Sequence, residues 1–379
     1  MRLGLVIYGS LDTPTGGYLY DRLLVDHLRR AGHTLRIFSM AWGGYPRLVL
    51  QNVSLRLARE IRRAELDALL EDELNHASLV GLNRLLRRPG RPIISIVHHL
   101  RSAEPAAWPP RSVVRAVERR YLSGVDAFIY NSDATRLAVR ALAGQGVPGV
   151  VAHPGGDRLG AGLQAAQIRV RALAEGPLQV IYVGAVTPRK GLQRLIEAMA
   201  ALAPGVARLR VVGDLTRSAA YVRRVREQAE RLGVDARVEI LGRLTDGELA
   251  ACLATGHVLA VPSTLEGFGI AYLEGMAFGL PCLAASQGGA GEFVQDGVSG
   301  FLIDEDNPQA LASRLRFLAS DRENLARMGL AARLRYEQQP AWEESLERIH
   351  RFIVEVAQTA ADKRARLRLG PQPTYGGVS

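Results

Sequence analysis

The sequence predicts two doubly wound α/β domains facing each other across a cleft, and three observations carry that expectation. At 379 residues the chain exceeds the size at which a single hydrophobic core keeps growing, which favours two domains of about 150–200 residues. Short β-branched or apolar runs alternate with amphipathic stretches from end to end, the pattern of βαβ units and a parallel sheet. That rhythm stops and restarts once, at the Ala-Leu-Ala-Glu-Gly-Pro stretch of residues 172–177, which reads as a linker. A composition of 47% hydrophobic and 23% charged residues suits a folded chain rather than a disordered one.

In the first half, the strand-like runs fall at 3–8, 35–38, 93–97, 127–130 and near Val150, giving a first Rossmann-like domain over residues 1–175. In the second half they fall at 180–183, 209–212, 238–240, 258–261, 281–285 and 301–303, giving a second over 176–340. The remainder reads as helices at 308–320, 322–336 and, after Pro340, 341–361. The last carries Leu346, Ile349, Phe352, Ile353 and Val356 at helical spacing, an apolar face that must be buried. Residues 341–379 are expected to return to the first domain, with a frayed tail after Lys363. Doubly wound sheets bind ligands beyond the carboxyl ends of their strands, so a site is expected between the domains.

Composition narrows the classes of function. The chain holds 48 Lys and Arg against 38 Asp and Glu, a net charge of +10. Residues 1–175 carry 24 Arg and no Lys against 15 acidic residues, so about +9 of the excess lies there. Such asymmetry suits an anionic surface or substrate, or solvated arginine-rich helix faces. Basic residues are not interleaved with aromatics and no zinc-finger or RNA-binding spacing occurs, so no nucleic-acid partner is expected. No segment approaches the ~20 apolar residues of a spanning helix, and the apolar run at 3–8 is too short for a signal peptide. Cys252 and Cys282 sit thirty positions apart in apolar surroundings, which fits reduced core residues better than a disulfide or a metal knuckle. A cytoplasmic protein without structural metal is expected.

The most informative segment is Pro262-Ser263-Thr264-Leu265-Glu266-Gly267-Phe268-Gly269, which runs on through Ile270 and Glu274 to Ala277. It follows an apolar strand and leads into an amphipathic helix, so Gly267, Phe268 and Gly269 occupy a strand-to-helix turn. Glycine there admits a ligand to the backbone, and the free N–H groups of the helix start point at it with partial positive charge. Glu266 and Glu274 offer carboxylates at different ends of one elongated ligand, and carboxylates accept hydrogen bonds from sugar hydroxyls.

This segment resembles the retaining glycosyltransferases of family four, in which Glu-Gly-Phe-Gly, three residues, then Leu-Glu-Ala-Met-Ala carries a pair of glutamates. Here the pair is Glu266 and Glu274, with Gly275 where the family usually has alanine. The resemblance spans most of the chain: Gly279-Leu280-Pro281-Cys282, Gly288 through Glu292, and Gly297 through Leu302 look like further family segments. It implies the two-domain GT-B fold and a nucleotide-sugar donor bound without a metal or other cofactor. It further implies that Glu266 holds hydroxyls of the transferred sugar, that Glu274 holds the ribose diol, and that the backbone of Gly267–Gly269 meets sugar and diphosphate.

A second strand-turn-helix constellation holds Val183-Gly184-Ala185-Val186-Thr187-Pro188-Arg189-Lys190-Gly191. Lys190 at the helix opening can meet a phosphate that the helix terminus also attracts. It is one of only two lysines in the chain, and lysine in an arginine-rich sequence favours a compact point charge. The family places an arginine where this chain has Ala185; Arg189 is the candidate replacement. Gly16 and Gly17, at the opening of the first helix, let backbone amides approach a diphosphate and look like the family's paired-glycine loop. Strand one lacks the Gly-x-Gly-x-x-Gly of a dinucleotide oxidoreductase.

Strand 93–97 ends in His98-His99 at the ligand edge of the first domain. The resemblance assigns His98 to the transferred sugar, whereas His99 departs from the family's acid or amide. Asn75 and His76, in the cluster that follows Leu69-Leu70, read either as acceptor-facing with His99 or as a solvated turn. Asn131-Ser132-Asp133 reads as a helix N-cap first. Residues 111–122 place Arg111, Arg115 and Arg119 on one helical face and Val113, Val117 and Tyr121 on another, a candidate for resting on an anionic membrane at the inner face.

The expected activity is retaining transfer of a hexosyl group from a UDP- or GDP-sugar to a glycan or lipid-linked acceptor, in cell-envelope or polysaccharide synthesis. The catalytic candidates are Lys190, Glu266 and His98. Two alternatives stay open: a nucleotide-sugar-binding scaffold that has lost transfer, which Ala185 favours, and a sugar-nucleotide 2-epimerase of the same fold.

Overall fold

The computed structural model describes residues 1–104, 108–304 and 307–369. Two six-stranded, wholly parallel sheets form two layered α/β units. The first sheet contains β1 (Arg2–Tyr8), β2 (Thr34–Met40), β3 (Ala68–Asp72), β4 (Ile93–Val97), β5 (Ala127–Tyr130) and β6 (Gly149–Val151), ordered β2-β1-β3-β4-β5-β6. The second contains β7 (Leu178–Val183), β8 (Ala207–Val212), β9 (Val238–Gly242), β10 (Val258–Ala260), β11 (Cys282–Ala285) and β12 (Gly300–Ile303), ordered β12-β11-β10-β7-β8-β9.

The strands read from the sequence are present, and β3 is the addition. Its residues, Ala-Leu-Leu-Glu-Asp, carry no β-branched side chain and end in acids, so neither propensity nor period marks a strand. Tertiary context decides instead: β3 pairs with both β1 and β4 and is buried throughout. Its Glu71 is wholly enclosed and accepts a hydrogen bond from the Asn83 amide at 2.9 Å. Burial pushes that carboxyl up to about 7.

Strand order fixes where a ligand can sit. In each sheet the order reverses at one point, between β1 and β3 in the first and between β7 and β10 in the second. The crevice of a doubly wound sheet opens there, beyond the carboxyl ends. The loops leaving β7 and β10 therefore face the loops leaving β1, β3 and β4.

Two stretches cross between the units. The helix Ala165–Leu173 packs on the second unit: Ile168 is enclosed against Gly279 and Gly329, so the crossing falls before the 172–177 stretch. The helix Trp342–Leu369 returns to the first unit, where Trp342, Leu346, Ile349 and Ile353 join a core with Leu5, Ile7, Leu24 and Ile94. It continues to Leu369, past the end expected from periodicity, and the rest of the tail lies outside the described residues. Cys252 and Cys282 are both free and buried. Among the described residues, no helix is long and apolar enough to cross a membrane. In the helix Arg111–Leu122, Tyr121 and Val114 face inward and Val117 is half-buried, leaving Val113 as the exposed member of the expected apolar face.

Candidate active site

The loop after β10 builds the centre of the crevice. Glu266 is held through its backbone: its N–H donates to the Gln287 carbonyl at 3.3 Å, and its own carbonyl accepts the Gly289 N–H at 2.9 Å. Gly269, at φ 104°, then turns the chain into the helix Ile270–Ala277, a conformation that glycine adopts at low cost. The loop after β7 delivers Lys190 on the turn Pro188–Lys190. Its Nζ lies 2.6 and 2.7 Å from the two oxygens of Glu266. Burial works against charge on both, but their mutual attraction, with Arg189 nearby, holds the Glu266 carboxyl below its ordinary value.

One helical stretch further on, the enclosed Glu274 meets Arg158, whose Nε and Nη2 lie 2.9 and 2.7 Å from Oε1. Burial raises the Glu274 carboxyl, with the guanidinium opposing. Arg158 comes from the first crossing stretch and also pairs with Asp246. Each glutamate of the pair is thus matched by one cation of the same chain, and Arg158 carries no local signal in the sequence.

The first unit closes the crevice with His98 at the end of β4. A Cβ at Gly267 would fall 2.1 Å from the His98 carbonyl oxygen, and one at Gly17 would fall 3.0 Å from its ring. A Cβ at Gly16 would stand 3.4 Å from Ile270 of the second unit. The paired glycines, His98 and the Gly267–Gly269 turn therefore converge. His98 Nε2 is 3.1 Å from Asp21 Oδ1. Burial alone would lower the imidazole's pKa, but Asp21, Asp72 and Glu73 outweigh it and raise it to about 9. His98 is therefore a cation at neutral pH. Asp21 and Asp72 reach it from the first helix and from β3, elements remote in sequence.

Further contacts tie the units together. Ser132 caps the helix Asp133–Ala143, accepting from Thr135 N–H at 3.0 Å, and its hydroxyl donates to the Gly267 carbonyl at 2.8 Å. Glu292 accepts the N–H groups of Asp133 and Ala134 at 3.0 and 2.7 Å and lies 3.0 Å from His153 Nε2. A carboxylate at a helix N-terminus is favoured by the dipole, and here it arrives from the other unit.

The remaining expected residues are placed differently from one another. Arg189 lies 3.2 Å from Glu104 and donates to the Leu265 carbonyl at 2.7 Å, so its guanidinium braces the loop against the first unit. His99 Nε2 lies 2.8 Å from the same Glu104. Burial would raise that carboxyl, but His99, Arg189 and Arg101 hold it down to about 2. The Phe268 ring turns inward against His153 and Phe293, leaving only its backbone for a ligand. Asn75 and His76 are wholly enclosed, Asn75 against Met40 and His76 against Glu73, and neither presents a surface to an acceptor. They are not the solvated turn that the sequence also allowed.

Comparison with known proteins accords with this geometry. The family described as Glycosyl transferases group 1 matches residues 164–335, and Glycosyltransferase Family 4 matches residues 20–158. Among curated relatives, an uncharacterized glycosyltransferase of Methanocaldococcus jannaschii is 32% identical over 31% of this chain and 33% of its own length. A D-inositol 3-phosphate glycosyltransferase of Streptomyces avermitilis is 45% identical over 22% of this chain and 18% of its own length. The matched region thus spans no more than about a third of these curated relatives. Among solved structures, sucrose-phosphate synthase from Thermosynechococcus elongatus superposes with a TM-score of 0.80 at 20% identity, covering 94% of this chain and 99% of that one. Anabaena HepE in complex with UDP-glucose superposes with a TM-score of 0.76 at 22% identity, covering 94% of this chain and all of that one. Two facing Rossmann-like sheets of the GT-B type, matched over both halves by the two family descriptions, make this chain a member of the family-four, group 1 glycosyltransferases.

Proposed function

We propose that the chain transfers a hexosyl group from a nucleotide-diphosphate sugar, with retention of anomeric configuration, to a glycan or lipid-linked acceptor. The observation that carries this reading is the convergence of Lys190, Glu266, Glu274 and the Gly267–Gly269 turn of one unit on His98 and Gly16–Gly17 of the other. HepE, whose structure was solved with UDP-glucose, shares this fold, which supports a UDP-sugar as the first donor to test.

In this reading the donor displaces two internal ion pairs. Sugar hydroxyls take the place of Lys190 on Glu266, and the ribose diol takes that of Arg158 on Glu274. Lys190, released from Glu266, swings to the diphosphate, whose developing charge it meets together with the backbone N–H groups of the turns rather than through a metal. Retention places acceptor oxygen and leaving phosphate on the same face of the sugar, so positioning and charge stabilisation are the protein's main tasks. The phosphate oxygen takes the acceptor's proton as the glycosidic bond to it breaks. His98, cationic and aimed by Asp21, donates to a sugar hydroxyl.

Thermal shift with UDP-, GDP- and ADP-sugars, followed by assay of donor hydrolysis without acceptor, tests the reading. A raised melting temperature together with slow release of free sugar is expected, since ligand binding to the folded state raises apparent stability. Binding without any release would instead favour a scaffold that no longer transfers.

A further inference from the structure

Beyond the carboxyl end of β3, outside the set of residues just assigned to transfer, three enclosed side chains converge. Glu73 and His76 lie on the turn and short helix that follow the strand, and Glu118 comes from the helix Arg111–Leu122. Their exposures are 2%, 0% and 0%, and one ligand-capable atom of each lies within 4.8 Å of the other two. His76 Nδ1 is 3.1 Å from Glu73 Oε1 and 3.1 Å from the Glu73 carbonyl oxygen. Glu73 Oε1 accepts no aligned hydrogen bond from an N–H or hydroxyl, and the Glu73 and Glu118 carboxyls lie within hydrogen-bond reach of each other. An enclosed carboxylate oxygen in that state calls for a proton or a cation.

The surroundings also fit a cation. The Ser102 N–H donates to Glu118 Oε1 at 3.3 Å and its hydroxyl to Oε2, fixing the carboxylate's direction. On the far side of the imidazole, the Tyr45 hydroxyl lies 3.4 Å from His76 Nε2. To face an ion, Nδ1 gives up the hydrogen bond it donates to the Glu73 carbonyl, and Nε2–H then donates to the Tyr45 hydroxyl, the kind of outer partner a metal-bound histidine keeps. Two carboxylates and a divalent ion sum to zero charge, which suits an enclosed position.

We propose that Glu73, His76 and Glu118 form a divalent-cation site whose two oxygen ligands and one nitrogen suit zinc or manganese. The ion ties the turn after β3 to the helix Arg111–Leu122 and so braces the first unit's side of the crevice. The expectation of no structural metal rested on the cysteines, which take no part here.

Tag-free full-length protein is dialysed against Zn²⁺ or Mn²⁺, then against metal-free buffer, and its metal content is measured by mass spectrometry. About one retained equivalent, with a raised melting temperature, is expected. Glu118→Gln and His76→Gln should each weaken retention about tenfold or more. Wild-type protein that retains no metal, with a melting temperature indifferent to added ion, overturns the proposal and assigns a proton shared by Glu73 and Glu118. Equal retention in both variants overturns it too. Because the wild-type content decides by itself, a variant that fails to fold leaves the test intact.

Discussion

Lys190 Nζ bridges both carboxylate oxygens of Glu266, at 2.6 and 2.7 Å, within a nearly enclosed crevice. The pair therefore has two roles that mutation can separate. Lys190→Met leaves a buried carboxylate without its partner and should lower folding stability by about 3 kcal/mol. The same variant should lower kcat about 10²–10³-fold through loss of a preorganised cation at the leaving group. Lys190→Met combined with Glu266→Gln should recover much of the stability in urea denaturation and none of the activity. An unchanged kcat in the single variant would end the assignment of Lys190.

The Asp21–His98 pair predicts a pH dependence of stability. The folded imidazole titrates near 9, above its ordinary 6.5, so its contribution is fully present below pH 6.5 and is lost as pH rises through 9. A shift of that size corresponds to on the order of 3 kcal/mol. In Asp21→Asn, urea denaturation at pH 6, 7.5 and 9 should show a smaller loss across that window than the wild type. Parallel losses in the two proteins would remove Asp21 as the cause.

Much of this site was legible before the structure, and the reason is local. Lys190, Glu266, Glu274 and the glycines between them lie on two short strand-to-helix segments whose residue types announce a ligand loop. Asp21, Arg158 and Glu292 reach the crevice from the first helix, a crossing stretch and the turn after β11. Their roles are set by tertiary approach, and no spacing encodes that. The fold divides likewise. The runs rich in valine and isoleucine read as strands, while β3 was invisible because its Ala-Leu-Leu-Glu-Asp sequence is buried only by its neighbours. His76 and Asn75 illustrate the opposite error, polar side chains that suggest an exposed edge and are wholly enclosed.

Gly267→Ala should hold the two units further apart without unfolding either. The added methyl would meet the His98 carbonyl oxygen at 2.1 Å, across the crevice rather than within one core. Small-angle scattering should report a larger radius of gyration, and kcat should fall about tenfold or more because the candidate residues of the two units would be held further apart. Wild-type scattering and wild-type kcat together would show that the close approach is relieved by small local shifts.

Glu274→Gln tests the proposed ribose contact. A neutral amide accepts a weaker hydrogen bond than a carboxylate, so donor affinity should fall about tenfold, measured by calorimetry with a UDP-sugar. Arg158 keeps Asp246 as a partner, so the fold should survive. Equal affinities would place the nucleoside elsewhere.

The two crossings between the units meet at one place. The Trp342 N–H donates to Asp157 Oδ1 at 3.0 Å, and a Cβ at Gly155 would fall 2.3 Å from that same nitrogen. A body joined to another by one tether can swivel in any direction, whereas two tethers pinned side by side act like the leaves of a door. Fastened to each other at that point, the two connections hold the ends of both sheets in one relative placement, the one in which the His98 carbonyl lies against the backbone of Gly267.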